Sequence, residues 1–234
     1  RDRSVSRGLG DVYKRQLPII FALLLNEVRR LRFKKAVQTI TYMPYFISLV
    51  VLAGIIIDFT SSDGLLGGTL MAALTGESKN LLADPRYFRA IMTVSELWQG
   101  LGYSSIIYVA TLSAVDQELY EAAAIDGANR WQQTIHITIP EISSTIIIML
   151  ILKCGTMLAV GAEKIILLYN ANIYETADVI STFVYRKGLQ EFNYGYSTAV
   201  GMFNSVINFI LIVAANKLAK KFSDTNLFLS LIHI

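Results

Sequence analysis

The stretch EAAAIDGANRWQQTIHITIP, residues 121–140, interrupts an otherwise apolar part of the chain. It follows the apolar run YSSIIYVATLSAV (103–115) and precedes the apolar run ISSTIIIMLIL (142–152). Its first half is rich in alanine, which favours a helix, and its second half repeats apolar residues at helical spacing. A polar element between two apolar runs predicts a short helical hairpin that projects from a membrane and offers one face to a partner.

The composition is typical of a membrane protein. Of the 234 residues, 53% are hydrophobic and 17% are charged, whereas a soluble domain has about 25% charged residues. The formal net charge is only +3, and no basic run is interleaved with aromatic residues, so we expect no nucleic-acid partner. The single Cys154 and the two histidines, His136 and His233, provide too few ligands for a metal centre. We therefore expect no metal and no cofactor.

Apolar segments predict an all-α membrane protein, a polytopic helical bundle with about five membrane segments. The first segment is too short to cross a bilayer alone. The second contains Pro44, which membrane helices tolerate because neighbouring helices can satisfy the freed carbonyl group. The predicted segments run over residues 17–28, 36–58, 88–115, 142–168 and 197–216.

The two ends of the chain differ in character from the rest. Residues 1–16 are polar and basic and stop abruptly at an apolar run, and residues 227–234 are apolar after a polar tail. Both indicate non-native sequence, which leaves a domain over 17–226 that we expect to be truncated at its N-terminus. A secretory signal peptide is the alternative for the start, but basic residues follow its apolar part where a small-residue cleavage site is needed.

Basic residues near the helix ends indicate the orientation in the membrane. RRLRFKK (29–35) carries five cations in a short loop, and KLAKK (217–221) carries three. Alternating helices place both segments on one side, which the excess of basic residues makes cytoplasmic. Residues 59–87 and 169–196 are then outside, and the 121–140 stretch is cytoplasmic.

Local signals divide the 121–140 region into two helical pieces. Asp116 occupies an N-cap position before a strong helix-forming run, and Gly127 permits a turn that a residue with a Cβ resists. Pro140 suits the start of the following membrane helix. The apolar stripe of the second piece consists of Trp131, Ile135 and Ile139. From the pattern alone, an amphipathic helix at the membrane interface is the simpler interpretation.

The 121–140 stretch resembles the cytoplasmic loop signature of binding-protein-dependent ABC importer permeases. That signature has Glu-Ala-Ala, three residues, Gly, nine residues and then Ile-x-Leu-Pro, and Ile139 stands here where leucine is usual. The resemblance covers almost all of 17–226, including SELWQGLGYSSIIY and YGYSTAVGMFNSVIN, and is nearest to permeases for polysaccharide-derived sugars. The residues that it assigns to ATPase coupling are Glu121, Ala122, Ala123, Asp126, Gly127, Ile137 and Pro140.

The resemblance implies the permease subunit of an ATP-driven sugar importer with a type I ABC importer transmembrane domain, multi-pass in a bacterial cell membrane. In that family the cytoplasmic loop, here 116–141, docks into a groove of an ATPase and couples its motion to alternating access. The implied partners are a second permease subunit, two ATPase subunits, an extracellular solute-binding protein and the lipid bilayer. The sequence contains no GxxxxGK[ST] motif, so catalysis of ATP hydrolysis is expected from a separate subunit.

Four polar residues in the predicted membrane segments are candidates for a translocation path or an intramembrane pair. Lys153 and Glu96 lie roughly 18 and 21 Å from the inner boundary at about 1.5 Å per residue, so their depths suit an ion pair. A central lysine costs about 2.5–3.5 kcal/mol, so we expect it to face the bundle interior unless it reaches an interface. Asn204 and Asn208 share one face of the last segment, where amides either hold helices together or line a sugar path.

Other functions remain as alternatives. An intramembrane enzyme would need an HExxH motif, a GxSG motif or paired membrane aspartates, and the sequence contains none of these. A passive channel would have no use for an ATPase-docking loop. An importer of the same class for amino acids or peptides differs only in its solute, and the aromatic residues of the outer loop favour sugar.

Overall fold

The computed structural model describes residues 16–156, 161–170 and 173–222. Within these ranges all regular structure is helical, so the predicted all-α fold is confirmed. The predicted non-native leader and tail, 1–16 and 227–234, lie outside the described residues except for Gln16.

The α-helices are numbered in chain order. They are α1 Gln16–Glu27, α2 Leu31–Tyr42, α3 Leu49–Thr60, α4 Met71–Thr75, α5 Pro85–Ser113, α6 Gln117–Ile125, α7 Arg130–Gln133, α8 Ile139–Gly155, α9 Ala162–Leu168, α10 Tyr174–Ala177, α11 Ile180–Tyr185 and α12 Tyr194–Phe222. Tighter 3₁₀ turns occupy Met43–Phe46 and Leu81–Ala83, and wider π turns occupy Leu65–Leu70, Thr134–Thr138 and Arg186–Gln190.

Three helical stretches of the described chain are long and apolar enough to cross a membrane: Leu49–Thr75, Arg130–Gly155 and Tyr194–Lys220. The unbroken stretch Tyr194–Lys220, with 27 residues, extends for about 40 Å, more than the ~30 Å hydrocarbon core of a bilayer. Few of their side chains are buried within this chain, and none is buried in the most apolar part of the last stretch. Their surfaces are therefore open to lipid or to other subunits.

The described helices pack as two units. The first unit contains the described parts of Arg1–Tyr42, Gly100–Gly155 and Phe209–Ile234. The second unit contains the described parts of Met43–Gln99 and Thr156–Asn208. Helices α5 and α12 therefore contribute residues to both.

The core of the first unit joins α1, α5 and α8. The hydroxyl groups of Thr111 and Thr145 lie 3.3 Å apart and link α5 to α8. Apolar burial supplies the rest of the contact, because each buried side chain removes its surface from water. The buried cluster consists of Ala22, Tyr108, Leu112, Val115 and Ile142.

The core of the second unit joins α3, α5 and α9 with the segment that follows α9. Asn170 ties this segment to the 3₁₀ turn before α5, since its Nδ2 donates to the carbonyl of Leu82 at 3.3 Å. The buried cluster consists of Leu52, Ala53, Ile56, Leu82, Phe88, Met92, Ile165, Leu168, Ile173 and Ala177.

The prediction of one continuous membrane helix over 36–58 is wrong. Helix α2 ends at Tyr42, and α3 begins only at Leu49. Pro44 lies in the 3₁₀ turn between them, where its missing N–H group and its ring oppose a regular α-helix. The apolar pattern continues through this region, but the backbone hydrogen bonds do not.

The prediction of one helix over 142–168 is also wrong. Helix α8 ends at Gly155, and residues 162–168 form the separate helix α9. Gly155 lies against α12, because a Cβ there would be 2.9 Å from Cδ1 of Ile212. Gly161, just before α9, has φ −36° and ψ 73°, which is outside the helical region. In contrast, α12 contains the whole predicted segment 197–216, and α5 covers the predicted segment 88–115 as far as Ser113.

Gly102 allows α2 to lie close to α5, which predicts a penalty for any side chain there. A Cβ at Gly102 would overlap the backbone carbonyl of Thr41 and lie 2.9 Å from the ring of Tyr42. We expect Gly102→Ala to lower the free energy of unfolding by about 1–3 kcal/mol. Gly100→Ala is the matched control, because its nearest neighbour is the Ser104 hydroxyl at 4.0 Å. Equal thermal unfolding midpoints for the two variants in detergent would contradict the close packing.

Candidate functional site

Residues 116–141, here called the hairpin element, contain α6, a bend, α7 and the turn that leads into α8. Helix α6 begins as predicted: the Asp116 side chain accepts a hydrogen bond from the backbone N–H of Glu118 at 3.0 Å. This bond satisfies one of the N–H groups that lack a partner at the start of a helix. The following alanines have no side-chain entropy to lose, so the nine-residue helix is well formed.

Gly127 makes the bend that the sequence predicts. Its φ is +80°, a left-handed conformation that glycine adopts without a steric penalty. Its N–H donates to the carbonyl of Ala124 at 3.1 Å, and the N–H of Ala128 donates to the carbonyl of Ala123 at 2.9 Å. This pair of bonds closes the end of α6 and satisfies carbonyl groups that would otherwise lack partners.

The second half of the hairpin element is fixed by reciprocal capping. The Asn129 side chain accepts from the N–H of Gln132 at 2.9 Å, and the Gln132 side chain accepts from the N–H of Asn129 at 2.8 Å. Each side chain satisfies a backbone donor of the other residue, which fixes the start of α7. The hydroxyl groups of Tyr120 and Thr138 lie 3.0 Å apart and link α6 to the turn before α8. The two halves are therefore held together.

The helix continues past Pro140 because the turn before the proline is wider than a regular α-helical turn. Residues Thr134–Thr138 form a π turn, in which the N–H of Ile139 donates to the carbonyl of Thr134. Pro140 has no N–H to donate to residue 136, and its ring crowds that carbonyl in a regular α-helix. A wider turn before the proline avoids this conflict. As a result, the helical stretch from Arg130 to Gly155 continues without a gap.

A cavity of about 300 Å³ lies in the bend of the hairpin element. It is lined by Ala123, Asp126, Gly127, Ala128, Gln132, Gln133, His136 and Ile137. Four of the predicted coupling residues line this cavity: Ala123, Asp126, Gly127 and Ile137. The other three are exposed elsewhere on the element: Glu121, Ala122 and Pro140. The structure thus collects the predicted residues on one element, around and beside a concave bend.

Two large apolar side chains project from the hairpin element. Ile125 is 86% exposed and Trp131 is 72% exposed. Trp131 belongs to the stripe that the sequence predicts, and Ile135 and Ile139 of the same stripe are also exposed. Ile125 was not predicted, although its place at the end of α6, directly before the polar bend, is a signal that could have found it. These exposed side chains give the hairpin element an apolar surface.

Gln133 does not lie on a solvated face of the hairpin element, as its polar side chain suggests. It is buried, and its Nε2 donates to the carbonyl of Ala128 at 3.3 Å. A Gln133→Ala change would leave the partly buried carbonyl of Ala128 without that donor. Gln133 therefore supports the bend instead of presenting a neutral surface.

The four polar residues that are candidates for a translocation path or an intramembrane pair lie in different surroundings. Lys153 is exposed on α8 of this chain, and its place in the interior of the bundle stays a prediction. Glu96 is half-buried in α5. Lys153 belongs to the first unit and Glu96 to the second, and their ion pair stays a prediction. Asn204 and Asn208 lie on α12 with shielded Oδ1 atoms that accept no hydrogen bond from the described residues.

Lys164 is a charged residue that the sequence analysis missed. It lies in α9 and is 3% exposed. The carboxylate of Glu96 approaches the start of the same helix, since a Cβ on Gly161 would be 3.8 Å from its Oε1. A continuous helix over 142–168 would have carried Lys164 to a membrane interface. The break between α8 and α9 places it inside the second unit.

The segment after α9 is held by an ion pair and aromatic rings. Asp178 accepts hydrogen bonds from Thr182 Oγ1 and Arg186 Nη2, each at 2.6 Å. Burial by itself raises the pKa of Asp178, but these two hydrogen bonds, the positive charge of Arg186 and a backbone hydrogen bond from Val179 together hold the pKa below its usual value. The Arg186 guanidinium lies 5.3 Å from the ring of Tyr174 and 5.8 Å from that of Phe183. Cation–π contacts of this kind help to fix the segment.

Comparison with known proteins supports a transport family. The family described as binding-protein-dependent transport system inner membrane component matches residues 18–224. The polygalacturonan/rhamnogalacturonan transport system permease protein YteP of Bacillus subtilis (strain 168) is 44% identical over 212 residues, 91% of this chain and 66% of that protein. Protein LplB of the same strain is 43% identical over 211 residues, 90% of this chain and 66% of that protein. The chain thus spans just under two thirds of the length of these relatives.

A solved structure has the same fold over nearly the whole chain. It is the crystal structure of a bacterial alginate ABC transporter in complex with an alginate pentasaccharide-bound periplasmic protein. The TM-score is 0.91 and the sequence identity is 40%, over 96% of this chain and 78% of the matched chain. The helical architecture described above is therefore that of an ABC importer transmembrane domain.

The Asp178–Arg186 pair predicts acid sensitivity. Because the pKa of Asp178 is lowered by folding, the pair stabilises the protein above the unfolded pKa of about 3.9 and loses its effect as the pH falls through the folded pKa. We expect Asp178→Asn to be less stable than wild type at neutral pH, with a difference that shrinks below about pH 4. Thermal unfolding across this pH range measures the difference. Glu191→Gln, which removes an exposed pair with Lys187, is the control and should have little effect. A pH-independent difference for Asp178→Asn would contradict the assignment.

Proposed function

The chain belongs to the family of binding-protein-dependent transport system inner membrane components, and from this membership we propose that it is the permease subunit of an ATP-driven sugar importer. Its helices would cross a bacterial cell membrane several times and alternate between inward- and outward-facing states. ATP would be hydrolysed by separate subunits, so this chain would carry out transport and no covalent chemistry.

The geometry of the hairpin element is the observation that carries the proposal. Coupling requires a rigid body, because a flexible loop would absorb the motion of its partner. Capping at Asp116 and Asn129, the closed bend at Gly127 and the Tyr120–Thr138 link supply that rigidity. The element also continues without a gap into α8. A displacement of the hairpin would therefore be transmitted directly to a membrane helix.

The surface of the hairpin element supports an ATPase as its partner. Ile125 and Trp131 offer apolar anchors, and central tryptophans often dominate binding energy at protein interfaces. Glu121 and Asp126 add exposed carboxylates for a basic groove. We propose that two ATPase copies are required, one for this chain and one for a second permease subunit.

The exposed membrane helices support a second permease subunit. A lysine in the middle of a lipid-facing helix is costly, and Lys153 is exposed in this chain. A second subunit, or the aqueous path that it would enclose, removes this side chain from lipid. The binding protein in the related alginate transporter complex supports an extracellular solute-binding protein as the further partner.

The relatives favour oligosaccharides as the solute. One permease relative is named for polygalacturonan and rhamnogalacturonan, and the matched importer structure is of a transporter for the acidic polysaccharide alginate. Asn204 and Asn208 offer amide oxygens that lack protein donors among the described residues, and sugar hydroxyl groups are donors of the matching kind. We therefore propose oligosaccharides from acidic polysaccharides as substrates. Amino acids or peptides remain the alternative within the same class.

Changes in the hairpin element should uncouple the transporter without preventing membrane insertion. Gly127→Val forces a β-branched residue into a left-handed conformation, at a cost of roughly 1–2 kcal/mol. Trp131→Ala removes an anchor, and Glu121→Lys reverses an exposed charge. We expect each variant to lose about fivefold or more in ATPase co-purification, with a parallel loss of ATP-driven uptake in vesicles.

Glu77→Lys is the control for these variants, because it reverses an exposed charge in the loop before α5 that has no ion pair within the described residues. It should leave ATPase association and uptake unchanged. If Gly127→Val, Trp131→Ala and Glu121→Lys all bind the ATPase and transport normally, the hairpin element is not the docking element.

Replacement of the α12 amides should reduce transport while sparing ATPase docking. Asn204→Leu and Asn208→Leu remove the free acceptors without adding charge, so we expect weaker ATP-dependent uptake of galacturonate oligomers at limiting concentration. Ser205→Ala is the matched control, because the Ser205 hydroxyl only donates to the Gly201 carbonyl of its own helix. Unchanged uptake with both leucine variants would argue against a solute path along this face, and preferred uptake of peptides would overturn the sugar assignment.

A further inference from the structure

A basic corner joins α1 to α2. Residues 28–30 separate the two helices, and the corner with the first turns of α2 contains five cations within seven residues. They are Arg29, Arg30, Arg32, Lys34 and Lys35. In the part of the chain that the structure describes, none of them forms an ion pair. Their charge is therefore not neutralised by the described fold.

Helix α2 carries an apolar stripe that does not serve the core. Phe33, Ala36, Val37 and Ile40 are spaced three and four residues apart, so they share one face of the helix. Phe33 is 57% exposed and Ile40 is 65% exposed, and no residue of α2 is buried. A stripe used for packing would be covered by the neighbouring helices. This stripe faces the surroundings of the chain instead.

The cations of α2 lie away from the stripe. At about 100° per residue, Lys35 projects on the side opposite Phe33 and Ile40, and Arg32 and Lys34 project on the two flanks of the stripe. Helix α2 is also not one of the stretches that are long and apolar enough to cross a bilayer, since the nearest of these begins at Leu49. An amphipathic helix with an exposed apolar face and cations beside and opposite that face lies in the plane of a membrane interface.

We propose that residues 29–40 form a binding surface for anionic phospholipid headgroups. The stripe of α2 enters the boundary between headgroups and acyl chains, while the five cations contact lipid phosphates. A basic surface that contacts only water would have no exposed apolar stripe beside it. Charge complementarity selects anionic headgroups. In a cluster of four to eight cations next to a membrane segment, each cation strengthens binding to anionic lipid by about 1 kcal/mol, or about fivefold in affinity. The inference does not depend on the transported solute.

The first test measures lipid preference. The full chain is reconstituted into bilayers of phosphatidylethanolamine and phosphatidylglycerol in equal amounts, and the lipids that remain bound after mild detergent extraction are quantified by mass spectrometry. We expect enrichment of phosphatidylglycerol that falls with added salt and decreases about fivefold or more in R29Q/R30Q/R32Q/K34Q/K35Q. The charge-retaining variant R29K/R30K/R32K/K34R/K35R should keep the enrichment. Equal enrichment in both variants would overturn the proposal.

The second test keeps all five cations and so does not depend on the folding of a charge variant. In a Cys154→Ala background, which removes the single cysteine, an environment-sensitive dye is attached to I40C or, away from the stripe, to T39C, whose position is also exposed. We expect vesicles with phosphatidylglycerol to shield the dye at position 40 from an aqueous quencher and to leave position 39 accessible. Equal accessibility of the two positions would contradict the proposal. Shielding of position 40 only after the ATPase or a second permease is added would identify a protein interface instead.

Discussion

A bilayer interior contains no water to bind backbone N–H and C=O groups, so a chain within it must satisfy these groups by itself. The described residues meet this constraint with helices almost throughout. Where a helix is interrupted, a different backbone arrangement takes its place. Near Pro44, a 3₁₀ turn bridges α2 and α3. Before Pro140, a π turn allows the helix to continue. Between α8 and α9, glycines occupy both sides of the break.

Where regular hydrogen bonding ends outside the membrane helices, side chains supply the missing partners. In the hairpin element, Asp116 and Asn129 cap the two helix starts, and the Gly127 turn closes the end of α6. After α9, Thr182 and Arg186 surround the carboxylate of Asp178. Both segments are therefore ordered by polar contacts that resist bending, which apolar contact alone does not ensure. This order suits segments that transmit force or contact a partner.

Much of the hairpin element was predictable because its signals are local. An aspartate before a helix-forming run, a glycine at a bend and a proline at a helix start each act through their own backbone, and Asp116 and Gly127 have the predicted conformations. The apolar runs likewise predicted a helical membrane protein, since their composition excludes a soluble core. The resemblance of 121–140 to importer permeases rested on the same short-range spacing, and the family that matches residues 18–224 agrees with it.

The sequence by itself therefore determined the all-α membrane class, the hairpin with its Asp116 cap and Gly127 bend, and the transport family. The tertiary structure decided where the membrane helices are interrupted, because the close approach of Ile212 to Gly155 involves residues far apart in the chain. It also decided that Lys164 and Gln133 are buried and that Lys153 is exposed. Burial depends on which helices lie alongside a residue, and apolar periodicity specifies a face of a helix but not the neighbour that covers it.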